Sequence, residues 1–336
     1  MDDLSKLESL CNIYSLGEII TSPEVVEGGL LHKMYKVVTT KGSYAIKKLN
    51  PTILKRYGVI DHLINSEKAS RCFAQSVPVI AAKEFENKTL LHMSDDYYMV
   101  FDWIEGKSIF IPNITVEHCI KIGEVLGKIH QLDICLEEIE KNTAEKEFYQ
   151  WKYYLEKCTG CKSKWYALFR KEFHNIVAWN ESVIEASSIL TERLVISHRD
   201  LDPKNVLWND GTPYIIDWEA AGYVNPYQEL IEIINYWTDD GNGNIDIDKF
   251  DALLNEYKKY VNLENVEWDM ILAGGYDGML GWLNYNLKRV LRIEGTSEDE
   301  VKIGEEQVEA TIVELKKYKD KVSVLKQWLS RAVGRI

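Results

Sequence analysis

Up to about residue 104 the apolar positions follow the two-residue period of half-buried strands, interrupted once. Residues 30–39 (LLHKMYKVVT) and 43–49 (SYAIKKL) are β-rich, and Lys41-Gly42 between them is a hairpin signal. Residues 59–73 place Ile60, Leu63, Ile64 and Phe73 at helical spacing, so this stretch is the one helix expected there. Val77-Pro78 ends it, because the residue before a proline is pushed out of the α region. Residues 88–93 and 97–104 predict two further strands, the second an apolar run suited to burial. Glu105-Gly106 then breaks the pattern.

Beyond Thr115 the period is helical. Val116, Ile120, Val125, Leu126 and Ile129 form one apolar face. Thr115 is the expected N-cap, although His118 stands where a capping box would need a glutamate or glutamine. Residues 145–192 predict two long helices rich in Trp and Tyr, joined near 158–163. Leu280, Leu283, Leu287 and Val290 share a stripe, as do Val308, Ile312, Leu315, Val322, Leu325 and Leu329 in the tail. A tail stripe of this kind serves either a coiled-coil partner or its own domain, and the short heptad run favours the second. The expectation is an α+β protein with a small β-rich lobe over residues 1–105 and a larger α-helical lobe over 106–336. A connector at about 102–107 joins them.

Composition narrows the function classes. A length of 336 residues is ample for two cores. The 40 Lys and Arg against 53 Asp and Glu leave a net charge of −13, which argues against a nucleic-acid partner. Hydrophobic residues at 46% exclude a disordered acidic tail. Six cysteines are too few for a disulfide framework at this length. The start MDDLSKLESL lacks the features of a signal peptide, and no apolar run approaches a membrane span, so a cytoplasmic location without membrane contact is expected.

The chemistry is concentrated in residues 195–220, VISHRDLDPKNVLWNDGTPYIIDWEA. Asn205 stands five residues after Asp200, and Asp217 twelve after Asn205, at the far end of a hairpin turning at Asn209-Asp210-Gly211. Phosphoryl transfer needs a carboxylate to hold the attacking hydroxyl and hard oxygen ligands to hold magnesium beside the phosphates. Asp200 offers the first, on a loop. Asn205 and Asp217, at adjoining strand ends, can converge on one Mg²⁺. Taken alone, Asp and Asn are ordinary turn residues. The upstream lobe adds Tyr44-Ala45-Ile46-Lys47, which matches the strand signature whose lysine bridges the α- and β-phosphates. Glu67, on the following helix, is placed to pair with Lys47. Gly28 and Gly29 can form a flap whose N–H groups approach phosphate, with a plain hairpin turn as the alternative.

With these motifs the chain resembles the aminoglycoside phosphotransferase and choline kinase group, bilobal relatives of the protein kinases. The resemblance runs from about residue 15 to residue 290 and is sharpest in SHRDLDPKNVLW and YIIDWE. It implies Asp200 as catalytic base, Asn205 and Asp217 as magnesium ligands, and Lys47 and Glu67 at the phosphates of ATP or GTP. It further implies that Phe101 lines the adenine slot while the backbone of Asp102 and Ile104 bonds the base. His130, in LGKIHQL, matches a histidine of the family and reads as a buried structural residue. The loop is HRD, as in protein kinases, which raises protein phosphorylation as a rival. That rival fails because D-W-E replaces D-F-G and about eight residues remain before the next helix, with no A-P-E.

The acceptor is the least legible part. A small molecule bearing a hydroxyl is expected, and a cationic one fits the acidic and aromatic residues beyond Asp217. Glu219, Glu229 and Trp237 are the candidates, accompanied by Asp239, Asp240, Tyr223, Tyr227 and Trp282. Their plain alternative is a solvated surface and a filled core. An aminoglycoside, another hydroxylated antibiotic, choline and an amino-sugar all remain open. A kinase-like protein that binds nucleotide or another protein without transferring phosphate is the rival class; it is opposed by the presence of Lys47, Asp200, Asn205 and Asp217 together. The lone C-x-x-C at 158–161 lacks the further ligands a zinc site requires.

Overall fold

The structure is a computed structural model that describes residues 3–26, 32–141, 146–159, 162–293, 297–332 and 334. The elements begin with α1 (Asp3–Ile13), β1 (Glu24–Val26), β2 (Lys33–Thr39), β3 (Gly42–Lys48), α2 (Pro51–Leu54) and α3 (Val59–Phe73). Next come β4 (Leu91–Met93), β5 (Asp96–Asp102), α4 (Val116–Leu132), α5 (Trp151–Lys157), α6 (Lys164–Glu192) and β6 (Val195–Ser197). The chain continues through β7 (Val206–Asn209), β8 (Thr212–Ile215), β9 (Gly222–Val224) and α7 (Pro226–Trp237). It ends in α8 (Ile247–Tyr257), α9 (Trp268–Gly274), α10 (Asp277–Val290) and α11 (Glu298–Ala332). Two compact units result, one of residues 1–140, 195–223 and 251–260, the other of 141–194, 224–250 and 261–336.

The first unit is built on a five-stranded antiparallel sheet in the order β1-β2-β3-β5-β4. Because side chains alternate across a strand, one face carries Tyr35, Val37, Tyr44, Ile46, Tyr98 and Val100. That face packs on Leu7, Leu10 and Cys11 of α1. This helix lies outside the single N-terminal helix the pattern predicts. It is pinned by Asp3, whose carboxylate accepts from the Tyr35 hydroxyl at 2.6 Å and from Lys48 at 2.9 Å. The opposite face packs Ala45, Leu49, Met99 and Phe101 against Leu63 of α3 and Ala82, and Lys47 emerges from this side.

Residues 195–223 belong to the same unit. The β7–β8 hairpin is stitched on both edges: the Ile80 N–H donates to the Ile215 carbonyl at 3.0 Å, and the Trp208 N–H to that of Lys107 at 3.0 Å. In α4 the Thr115 N–H donates to His118 Nδ1 at 3.0 Å, so an imidazole nitrogen does the capping usually done by a carboxylate. His130 is buried, and its Nδ1 meets the Tyr257 hydroxyl at 2.8 Å. Gly123 is needed because a Cβ there would lie 2.4 Å from the Leu253 carbonyl oxygen.

The second unit is helical. Its core gathers Trp151 and Tyr154 of α5, Phe169, Ile176 and Trp179 of α6, Leu280, Leu283 and Leu287 of α10, and Val308, Ile312 and Leu315 of α11. The tail stripe therefore packs within its own unit. Of the two long helices expected over 145–192 only α6 is long. The Asn180 side chain accompanies the shortening: its Oδ1 accepts from the Tyr149 N–H at 3.0 Å and from the Trp151 indole at 2.8 Å, holding the chain before α5 out of the helix. Among the described residues no helix is long and apolar enough to cross a membrane, and Cys11, Cys72, Cys119, Cys135 and Cys158 form no disulfide.

Candidate functional site

Asp200 sits on the loop between β6 and a short 3₁₀ turn at Pro203–Asn205. That turn forms because Pro203 presets its first φ and the Asp202 carboxylate accepts from the Lys204 N–H at 2.9 Å. The consequence is that Asn205 faces back on Asp200, donating its amide to the Asp200 carbonyl at 2.7 Å and to Oδ2 at 2.9 Å. His198 fixes the other side of the loop. Its Nδ1 accepts from the Asp200 N–H at 3.2 Å, which puts its proton on Nε2, aimed at the Ile216 carbonyl at 2.9 Å. The Ile216 N–H in turn donates to the Asn205 carbonyl at 3.0 Å, setting Asn205 and Asp217 next to each other across the hairpin.

Arg199 and Asp217 both adopt left-handed backbone, with φ of 64° and 60°. Non-glycine residues cost about 1–3 kcal/mol there and hold it only where surrounding bonds over-determine them, a pattern that clusters at working sites.

Lys47 reaches this hairpin from β3. Its ammonium lies 3.0 Å from Asp217 Oδ1 and 2.7 Å from Glu219 Oε1, with only 7% of the residue exposed. Burial alone would favour the neutral amine, but the two carboxylates more than offset it and raise the Lys47 pKa. Glu219 is fixed from a third direction by His32, whose Nε2 lies 3.4 Å from Oε2 while its Nδ1 accepts from the Asn50 N–H. Burial opposes the Glu219 charge, yet the His32 hydrogen bond and Lys47 carry its carboxyl down to about 2. A carboxyl depressed by folding contributes stability above its ordinary value near 4.5 and loses it as pH falls toward 2. Wild type is therefore expected to exceed Glu219→Gln in stability at neutral pH. The gap should close between about pH 4.5 and pH 2 in denaturant titrations.

The Glu67 carboxylate turns elsewhere. It accepts from the Ala82 N–H at 2.7 Å and from the Ser70 hydroxyl at 3.2 Å, while burial pushes its pKa up. The Lys47 ammonium thus bonds Asp217 and Glu219 rather than Glu67. Phe101 lies on the Lys47 face of the sheet, its ring centroid 6.0 Å from the ammonium. The Asp102 carboxylate pairs with Lys83 at 2.8 Å, and Ile104 follows in the segment after β5. Gly28 and Gly29 lie outside the described residues.

The acceptor candidates are dispersed. Glu219 is spent on Lys47 and His32. Glu229 and Trp237 belong to α7 and are fully enclosed, because that helix buries the face on which both stand. Sequence reasoning passed over His32, His62, whose Nε2 meets the Glu219 carbonyl at 2.7 Å, and Lys204. The two histidines are isolated in the sequence, and only the folded chain sets them on Glu219.

The donor set suits a hard divalent cation. Asn205 gives its amide hydrogens to Asp200 and keeps Oδ1 for a cation, and Asp217 adds a carboxylate. No cluster of three or more His, Cys, Asp or Glu stands ready for a metal among the described residues. Two protein ligands completed by phosphate oxygens are the usual arrangement for Mg²⁺.

A sheet-borne lysine, an aspartate-asparagine loop and an aspartate closing a hairpin, on an α+β fold with a helical second half, define the kinase-like class. The chain belongs to the phosphotransferase enzyme family, whose profile matches residues 23–261. The members of that family transfer phosphoryl groups to hydroxyls. Among solved structures the chain is similar to a spectinomycin phosphotransferase in complex with ADP and spectinomycin, at 16% identity and a TM-score of 0.62, covering 93% of this chain and 98% of that one. An amicoumacin kinase in complex with AMP-PNP, Ca²⁺ and its acceptor is similar at 13% identity and 0.62, covering 94% of each. A choline kinase from Cryptosporidium parvum Iowa II is similar at 10% identity and 0.59, covering 97% of this chain and 98% of that one. No curated protein sequence matches.

Proposed function

We propose that the protein transfers the γ-phosphoryl group of ATP, or of GTP, to a hydroxyl of a small cationic acceptor such as an aminoglycoside. The observation that carries this reading is the partly exposed Asp200 carboxylate, held by Asn205 on one side, with Asp217 and the buried Lys47 already paired beside the same hairpin. Asp200 orients the acceptor hydroxyl and takes its proton as oxygen bonds to phosphorus and the bond to the β–γ bridging oxygen breaks. Lys47 holds the α- and β-phosphates, with Phe101 and the backbone of Asp102 and Ile104 at the base. Asn205 and Asp217 hold Mg²⁺, which when bound neutralises charge on the phosphates. Positioning and electrostatics supply the rate, so little covalent chemistry is asked of the chain.

Support for a cationic acceptor comes from the structural neighbours, which include a spectinomycin phosphotransferase and a choline kinase. In this reading Glu219 serves the nucleotide end through Lys47, and the acceptor wall comes from residues other than Glu229 and Trp237. A cytoplasmic location, where nucleoside triphosphates are abundant, accords with this reading. Mg²⁺-dependent nucleotide hydrolysis is expected to rise when aminoglycosides, spectinomycin-like antibiotics, choline and amino-sugars are offered in turn, with phosphorylated product seen by mass spectrometry. Nucleotide binding with no product from any of them would favour a binding protein instead.

A further inference from the structure

We propose that Lys204 is a second cation of the phosphoryl-transfer site, one that leaves Asp200 for the γ-phosphoryl group when nucleotide binds. The proposal rests on the kinase reading above and adds a residue to it. Lys204 lies four residues beyond Asp200 in the 3₁₀ turn, and its ammonium stands 3.3 Å from both carboxylate oxygens of Asp200. Its backbone is fixed from two sides, since the N–H donates to Asp202 and the carbonyl accepts from the Ser108 hydroxyl at 3.2 Å. The side chain is 55% exposed and the Asp200 side chain 36%. The root of Lys204 is therefore rigid, while its long, solvated arm is free to swing.

The stoichiometry of Asp200 explains why the arm should move. Asp200 Oδ2 already accepts from Asn205. An acceptor hydroxyl must come within about 3 Å of the same carboxylate to hand over its proton. The phosphorus it attacks then lies about 3–3.5 Å further on, within reach of a long lysine arm whose ammonium starts 3.3 Å from the carboxylate. Lys47 answers the α- and β-phosphates in this reading, and Lys204 is placed to answer the γ-phosphoryl oxygens. As the bond to the β–γ bridging oxygen breaks and the acceptor oxygen bonds phosphorus, Lys204 compensates the charge on the group in transit, and the proton remains on Asp200.

A mere surface ion pair with Asp200 would be worth little and would ignore the nucleotide's γ-phosphate. The test therefore compares nucleotides with and without that group. AMP-PNP and ADP affinities are measured by calorimetry at saturating Mg²⁺ for wild type, Lys204→Met and Lys204→Arg. Lys204→Met is expected to weaken AMP-PNP by about tenfold or more relative to ADP, the loss of one charge-assisted contact. Lys204→Arg should restore most of the preference. A preference for AMP-PNP over ADP that changes less than about threefold in Lys204→Met would overturn the assignment. Wild-type protein that binds AMP-PNP but never yields product would sink the kinase reading instead and still leave the AMP-PNP to ADP ratio to judge Lys204.

Discussion

Asp200→Ala is expected to lower phosphoryl transfer by about 100- to 10,000-fold while nucleotide affinity stays within about twofold. The split follows from where Asp200 stands. Its carboxylate meets Asn205 and Lys204, whereas Lys47, which holds the phosphates in the proposed reading, is held by Asp217 and Glu219. Losing the Asp200 side chain removes one of two Asn205 amide bonds and the Lys204 ion pair, but the Asn205 bond to the residue-200 carbonyl, the Lys47 cluster and its sheet stay intact. Single-turnover kinetics with the best acceptor, alongside calorimetry with AMP-PNP, separates the two quantities. Turnover near the wild-type level would remove Asp200 from the mechanism.

The second large effect concerns stability. Trp237 is fully buried in α7, together with Leu230, Ile231, Ile233 and Ile234 of the same helix. Truncation to alanine leaves a cavity the size of an indole, and such changes cost about 3–5 kcal/mol. Trp237→Ala is expected to shift the denaturant midpoint markedly downward. In the fraction that remains folded, AMP-PNP should bind as before, since Lys47, Asn205 and Asp217 lie in the other compact unit. An unchanged midpoint accompanied by a raised KM for the acceptor would instead return Trp237 to the acceptor wall.

The contrast between Asp200 and Trp237 shows what a sequence can disclose. Asp200, Asn205 and Asp217 were legible because they lie on one loop and hairpin, where turn residues and strand alternation fix geometry locally. Lys47 was legible from its strand signature. The partners of Lys47 were not, since Glu219 stands 172 residues away and is selected by packing. For Trp237 and Glu229, nearness in sequence to Asp217 suggested the acceptor, but the helical period of α7 turns both inward. His118, Asn180 and α1 were hidden for a related reason. A side chain that replaces a backbone partner has no periodicity to read, and a helix preceding the sheet is held by single contacts such as Asp3 to Tyr35.

The two ion pairs of Lys47 give its buried ammonium a counter-charge in reserve. In the proposed reading, a metal ion that drew Asp217 away would leave Glu219 in place at 2.7 Å, so the buried ammonium would stay paired. A nucleotide arriving alone would give the ammonium its phosphates but set them against two released carboxylates. With Mg²⁺ on Asp217, only Glu219, which His32 also meets, would be left beside the phosphates.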